Sequence, residues 1–483
     1  MNRYAYLLKS IGILTLSNFT TKLLRFFLVP LYTSILTTTE YGIYDLFLTI
    51  IYMLAVVLTL NIQDAVLRFA LENGANRNAI VSIAMKCFLA GCGIVLLGLG
   101  VNRIFHLSEI GEKYEVYFFL MFLVHALSGI VFAYTRGVDR IAELSVSSVI
   151  ASVITIGCNI LFLAFFRWGL IGYFLANILG PMLQCLYLIL KSHMLGELRL
   201  RQRYKSEAKN MLRYSMPMIA NSIAWWINNA FDRYIIVFFC GFAENGIYSV
   251  ASKIPSILNI IQTSFNQAWT LSAVTEFDSD DHSGFFSNTY KAYNCVIVVM
   301  CSAIIVSDRI LAGFLYARDF YIAWRYVPWL TIAIVFGALS GYIGSVFTAV
   351  KDSRMYAKST VIGAVINLLL NTTMVPLIGA LGAAVATTIC YIVIWAIRLR
   401  HSRRFIKLKI NLKRDIMTYC LLIAQAIALL LIAENIQLYL LELGLFSVIF
   451  GLYFKDIMNI YSKVKNKAAW RGKSGGSCED TVR

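Results

Sequence analysis

The chain has 483 residues, 59% of them hydrophobic, a mean hydropathy of +0.71 and only 14% charged residues, against roughly 25% in an ordinary soluble domain. This composition excludes a soluble enzyme. At about 20 apolar residues per bilayer crossing, the length accommodates on the order of 14 transmembrane helices and no separate globular domain. The formal charge of +17 does not by itself call for nucleic acid: with the N-terminus in the cytoplasm, about 31 of the 43 Lys and Arg fall on inner segments, about 5 on outer loops and about 7 in helices, which is the positive-inside distribution.

In chain order, apolar runs predict helices near 10–36, 41–63, 80–104, 114–135, 141–166 and 169–190, an N-lobe of six helices spanning 1–190. The first run is too long for a cleavable signal and carries Lys22 and Arg25, so it is expected to remain as the first helix. A basic cytoplasmic linker, 191–213, separates it from a C-lobe, 214–400, with helices near 214–240, 246–275, 290–316, 324–350, 356–376 and 379–400. A second basic segment runs from Arg398 to Arg414, its loop being set at 401–415, and a closing helix pair falls within 416–460. The polar tail, 461–483, is expected to be disordered. Nine of the ten cysteines lie in apolar segments without CxxC spacing and read as small core residues.

Two pairs of segments repeat. Glu40-Tyr-Gly-Ile-Tyr-Asp-Leu46 returns as Glu244-Asn-Gly-Ile-Tyr-Ser-Val250, and Gly169-Leu-Ile-Gly-Tyr-Phe-Leu-Ala176 returns as Gly379-Ala-Leu-Gly-Ala-Ala-Val-Ala386. Both offsets span six helices, so the halves are expected to be parallel repeats, with a substrate path between them. The predicted fold class is an all-α integral membrane protein: two parallel six-helix repeats around a central cavity, plus a C-terminal helix pair.

Lys22 and Arg25 lie near the middle of the first helix, three residues apart and on one face. A cation at mid-membrane costs about 2.5–3.5 kcal/mol unless it meets water, a counter-ion or a ligand. Residues 1–39 hold no Asp or Glu, so a buried ion pair would need a carboxylate from another helix. Contact with an anionic ligand is the reading preferred over structural pairing. Arg233 and Lys253, each about 10 Å from the outer turn between their helices, form a second candidate station. Asp232 points about 100° away from Arg233 and is expected to serve Lys253 or a neighbouring helix instead. Arg68, Asp232 and Asp45 are secondary candidates, and Asp45, Asp64 and Asp232 leave coupling to Na+ or H+ open. The acidic run Asp278-Ser-Asp-Asp281 resembles a nucleotide-holding DxD triplet but has no domain to carry a nucleotide fold. Gly472-Lys-Ser474 lacks the upstream glycine of a phosphate loop, and the five histidines show no ligand spacing. No catalytic residue, metal site or cofactor is predicted.

Three stretches carry a family resemblance: SNFTTKLLRFFLVPLYTSILTTTEYGIYDL (17–46), RYSMPMIANSIAWWINNAFDRYIIVFFCGFAENGIYSVASKI (213–254) and NLLLNTTMVPLIGALGAAVAT (367–387). Across nearly all of residues 5–405 the chain resembles the polysaccharide biosynthesis, or Wzx-type oligosaccharide flippase, family of the multidrug/oligosaccharidyl-lipid/polysaccharide exporter superfamily. The resemblance implies two six-helix lobes around a cavity and movement of polyprenyl (undecaprenyl) pyrophosphate-linked sugars across the bacterial cytoplasmic membrane, both termini cytoplasmic, for O-antigen, capsule or exopolysaccharide. It implies cationic cavity residues where Lys22, Arg25, Arg233 and Lys253 stand. The expected partners are the lipid-linked oligosaccharide, membrane lipids and other polysaccharide assembly proteins, with no nucleic acid. The alternatives are a cation-coupled small-molecule exporter of the same superfamily, which commonly uses intramembrane carboxylates, and a membrane glycosyltransferase or polymerase, which would normally need a sizeable acidic outer loop.

Overall fold

The computed structural model of the chain describes residues 26–72, 74–350 and 352–475. Among these every regular element is helical: α1 (Val29–Ile35), α2 (Thr38–Leu58), α3 (Ile62–Ala70), α4 (Arg77–Phe105), α5 (Glu109–Lys113), α6 (Glu115–Gly137), α7 (Ile141–Asn159), α8 (Gly169–Lys191), α9 (Lys205–Ala230), α10 (Asp232–Ala251), α11 (Pro255–Thr275), α12 (Phe285–Leu315), α13 (Val327–Ala349), α14 (Ser353–Ile378), α15 (Ala380–Ser402), α16 (Leu412–Leu431) and α17 (Ile436–Gly475). Twelve helices among the described residues are long and apolar enough to cross a membrane. The first expected helix lies mostly outside the described residues, and α9 and α11, rich in Ser, Asn and Thr, fall short of the apolarity of the twelve. Apolar side chains stand exposed on the helices, Leu97, Ile104, Phe165, Leu377 and Leu431 among them; such a surface suits lipid and not water.

Contacts divide the chain into two compact units, one of residues 1–253, 313–322 and 368–383, the other of residues 254–312, 323–367 and 384–483. These groupings cut across the halves expected from the repeats, since α9 and α10 belong to the first unit. Within that unit α2 packs along α10 and α7 along α8. A capping box starts α2: Thr37 N–H donates to Glu40 at 2.8 Å, and Glu40 N–H donates back to the Thr37 hydroxyl at 3.2 Å. Gly169 and Gly379, the first residues of the second repeat pair, both take left-handed backbone (φ +56° and +66°) just before α8 and α15 continue. That conformation favours glycine, so the repeated residue marks a repeated turn.

The second unit is built on α13, whose apolar stretch is 83% buried. Trp269 of α11 stacks on Tyr342 of α13 at 4.3 Å and donates to its carbonyl at 3.1 Å. The acidic loop has a structural job. Asp281 receives the Phe286 and Ser287 N–H groups at 2.9 Å each and so satisfies the start of α12. Asp278 accepts from the backbone N–H of Asp280 and His282, and Asp280 pairs with Lys407 at 2.8 Å.

Four local expectations are corrected. The run 214–240 is not one helix: α9 ends at Ala230, α10 begins at Asp232, and the chain turns at Gly241 (φ +86°). Residues 461–475, expected to be disordered, continue α17, because the Lys, Ala and Arg there are good helix formers and no glycine intervenes until Gly472. Arg398, read as the start of a basic cytoplasmic segment, is buried in α15. It donates to the Ser359 hydroxyl, the Ser340 carbonyl and the Thr360 hydroxyl at 2.9 Å each and lies 4.2 Å from the Tyr356 ring centre. The nine described cysteines are all free thiols, but Cys420 is exposed and not a core residue.

Candidate functional site

The first repeat pair meets itself in space, inside the first unit. Gly42 of α2 and Gly246 of α10 are related by the offset of 204, and each lies against the other helix's backbone. A Cβ on Gly42 would stand 1.8 Å from the Phe242 carbonyl oxygen, and a Cβ on Gly246 would stand 2.0 Å from the Thr38 carbonyl oxygen. Thr38 and Phe242 are themselves 204 apart, so the contact is reciprocal, as a local two-fold requires. Only glycine lets the backbones approach this closely. Asn245 secures the crossing by donating to the Gly42 carbonyl at 3.0 Å.

One turn further along each helix the same symmetry brings Asp45 to Ser249, whose hydroxyl donates to the carboxylate at 2.5 Å. The other Asp45 oxygen receives Arg233 Nε at 2.8 Å, a geometry fixed because α10 starts at Asp232 and presents the Arg233 side chain towards α2. Asp232 receives the Arg233 backbone N–H at 3.0 Å and lies 3.4 Å from Arg233 Nη1. Tyr248 donates to the second Asp232 oxygen at 2.5 Å. Asp45 and Asp232 are buried and the Arg233 side chain is only 17% exposed. Lys253 Nζ stands 5.9 Å from the centre of the Tyr41 ring, which stacks on Tyr32 at 4.9 Å. An open apolar groove of about 370 Å³ is lined by Leu46, Phe231, Tyr234, Ile235, Val237 and Phe238.

The expectation that Asp232 would avoid Arg233 is therefore wrong. At a helix start the carboxylate folds back onto the next N–H, and the long guanidinium arm curls to meet it, so helix-face angles do not govern the pair. Asp45, a secondary candidate, is the central acceptor. Arg68 is about half exposed and pairs with Glu72 one turn on, at 3.0 Å, as a surface pair. Lys22 and Arg25 lie outside the described residues. Among the described residues no three His, Cys, Asp or Glu side chains group to hold a metal.

Other ionisable groups escaped the sequence reading. Asp308, Arg309 and Glu442 lie inside helices α12 and α17 and are buried. The same penalty for intramembrane charge that singled out Lys22 and Arg25 applies to carboxylates, and each of these residues interrupts an apolar run.

The repeated helices and their balanced cluster of buried charges define a multi-pass, internally repeated membrane protein of helical architecture. The family described as "Polysaccharide biosynthesis protein" matches residues 7–271, more than half of the chain, and the chain belongs to that family. It is 21% identical over 393 residues to the probable low-salt glycan biosynthesis flippase Agl15 of Haloferax volcanii, covering 80% of this chain and 81% of the relative. Its fold is similar to that of the lipid II flippase MurJ in an inward closed conformation, with a TM-score of 0.67 at 14% identity over 92% of this chain and 99% of that one. It is also similar to an inward-facing multidrug resistance MATE family transporter of the MOP superfamily, with a TM-score of 0.64 at 14% identity over 80% and 94% of the two chains.

Proposed function

We propose that this protein is a flippase that moves polyprenyl-pyrophosphate-linked oligosaccharides across the cytoplasmic membrane for polysaccharide biosynthesis, with both termini in the cytoplasm. The family match over residues 7–271 carries this reading, and the flippase among its relatives supports it. The protein performs no covalent chemistry in this account. The diphosphate is held by Lys22, Arg25 and Lys253, the sugars occupy a hydrated interior and the prenyl chain stays in lipid. Arg233, engaged by Asp45 at 2.8 Å and by Asp232 at 3.4 Å, ties α10 to α2; it meets cargo only when a carboxylate releases it. With the cytoplasm negative, moving about two phosphate charges outward through the full field gains roughly 4.6 kcal/mol at 100 mV, enough to bias direction.

The exporter alternative would use Asp45 or Asp232 for a cationic drug or coupling ion. Both carboxylates already hold Arg233, which favours the lipid-sugar reading. The test is flipping of a polyprenyl-pyrophosphate oligosaccharide in proteoliposomes, read by lectin access, for the intact chain and for a Lys22→Ala, Arg25→Ala double variant that inserts equally well. Flipping by the intact chain and its loss in the variant is the expected result. Equal flipping by both removes the diphosphate assignment, and no flipping by the intact chain refutes the substrate class.

A further inference from the structure

The linker between α8 and α9 runs across the ends of α4, α6 and α8 in the first unit, and it is held there mainly through its backbone. Lys86 of α4 donates to the Gln202 carbonyl at 2.6 Å, the Arg199 N–H donates to the buried Ser82 hydroxyl at 2.8 Å, and Arg140 donates to the Lys191 carbonyl. Glu197 accepts from the buried Tyr134 hydroxyl and lies 3.8 Å from Arg77, and the Met194 side chain is buried. These anchors fix the path of the chain and leave most of its side chains outside.

What the linker leaves outside is cationic and apolar at once. Residues 191–213 hold seven Lys and Arg against two Glu. Arg199, Arg201, Arg203 and Lys205 are exposed, and none of them has an ion-pair partner among the described residues. The two glutamates face helix partners instead, Glu197 as above and Glu207 with the Asn76 amide at 3.5 Å. Among the cations, Leu195 is 59% exposed and Leu200 43%.

The positive-inside distribution accounts for cations in such a segment but not for the leucines. The second basic segment, in the other unit, is the internal comparison. There Ile406 is buried, Leu408 and Ile410 are half-buried, and Lys407 is paired with Asp280 at 2.8 Å. The Lys407 and Lys409 N–H groups donate to the Ser279 carbonyl at 3.0 Å and the Ser287 hydroxyl at 2.8 Å. A basic loop bathed only by water can thus turn its apolar side chains inward, and the linker does not. Leu195 follows the end of α8, a helix of membrane-spanning length, by four residues, which keeps it near headgroup depth. At that depth leucine enters the acyl boundary while arginine meets phosphate. An acidic soluble partner would satisfy the arginines alone; the two leucines beside the bilayer favour lipid.

We propose that residues 195–205 form a binding site for anionic phospholipids of the adjoining leaflet: Leu195 and Leu200 insert between acyl chains, and Arg199, Arg201 and Arg203 bind the headgroup phosphates. The guanidinium fork matches phosphate oxygens in a bidentate way. A zwitterionic headgroup carries its own cation beside the phosphate, so the cluster selects lipids of net negative charge. The site is separate from the cargo and does not rest on the flippase reading. Because the linker leads directly into α9, bound lipid holds the start of that helix at the membrane surface.

The experiment places the photo-crosslinking residue p-benzoylphenylalanine at Leu200 of the full-length protein, in nanodiscs of mixed phosphatidylglycerol and phosphatidylcholine, and identifies each adduct by its mass. Phosphatidylglycerol adducts in excess of that lipid's share of the bilayer are the expected result. The excess should be lost when Arg199→Gln, Arg201→Gln and Arg203→Gln are combined, and also at about 1 M salt, where screening acts within about 3 Å. It should persist when Arg403→Gln, Arg404→Gln and Lys413→Gln are combined, which removes the same charge from the other basic segment. Adducts that merely follow the bilayer composition, or no lipid adduct at all, overturn the site. An equal fall of the excess in both triple variants also overturns it, because net charge alone would then be acting. If the linker variant does not fold, the salt series decides: an excess unchanged at high salt refutes the arginine–phosphate contact. With added polyglutamate, replacement of lipid adducts by polyglutamate adducts would show a protein-docking face and overturn the lipid assignment.

Discussion

The reciprocal glycine contact makes a quantitative claim about Gly42 and Gly246. In Gly42→Ala the new Cβ would lie 1.8 Å from the Phe242 carbonyl oxygen, whereas unstrained contacts of this kind need more than about 3 Å, so α2 and α10 must part by roughly 1.5 Å. The obstacle is backbone and cannot swing aside. Parting the helices also stretches the Asn245–Gly42, Ser249–Asp45 and Arg233–Asp45 hydrogen bonds, now 3.0, 2.5 and 2.8 Å. Overpacking costs about 1–3 kcal/mol, and the lost hydrogen bonds place Gly42→Ala at about 3 kcal/mol, roughly two orders of magnitude in the folded population. Gly246→Ala should cost as much, because its Cβ meets the Thr38 carbonyl at 2.0 Å. The double variant should cost less than the sum, since helices already parted by one methyl accommodate the other. Controls are Gly93→Ala and Gly98→Ala in α4, where a Cβ meets nothing within 4 Å; these should be neutral or slightly stabilising. The assay is thermal unfolding of detergent-purified protein, followed as loss of the monodisperse species. If Gly42→Ala and Gly246→Ala unfold with the Gly93→Ala control, the helices do not cross where we place them.

Arg398→Lys should destabilise by roughly 2–4 kcal/mol, because an ammonium cannot reproduce the three donations to Ser359, Ser340 and Thr360 together with the stacking on Tyr356; the same unfolding assay measures it. Asp281→Ala removes the acceptor of two N–H groups at the start of α12 and should cost about 1–2 kcal/mol, visible as faster hydrogen exchange at Phe286 and Ser287. Lys407 holds the Asp280 carboxyl below its ordinary 3.8, and Asp280 in turn raises Lys407 above 10.5. A lowered acid contributes stability above its unfolded value and loses it as pH falls, while a raised lysine keeps its contribution below its unfolded value and loses it as pH rises. Protection of the 276–284 loop, taken as exchange relative to each amide's intrinsic rate at the same pH, should therefore be flat across neutral pH and fall below about pH 4, and a loss of protection already near pH 6 would contradict the pairing. Asp45→Asn should weaken the tie to Arg233 without an added methyl clash, so it should lower stability less than Gly42→Ala does.

Much of the fold is written in one dimension. Apolar runs of bilayer length report a membrane protein because a helix in lipid must satisfy its own backbone, and α4, α6, α7, α8, α13 and α15 stand close to where the runs place them. The repeat at an offset of 204 is equally legible, since duplication preserves glycine where two backbones touch. Partner choice is not legible, because it joins residues far apart in the chain. Asp45 meets Arg233 and Ser249 only when α2 crosses α10, and the short reach between Asp232 and Arg233 depends on a helix starting between Phe231 and Arg233. The fates of the remaining ionisable groups show the same division. The sequence alone does not separate Arg398, Asp308 and Glu442, each of which stands in or beside an apolar run. Tertiary packing gives Arg398 three acceptors and a ring, gives Asp415 a tyrosine and an arginine, and buries Asp308 and Glu442 completely, because burial is a property of a residue's neighbours and not of its place in the chain.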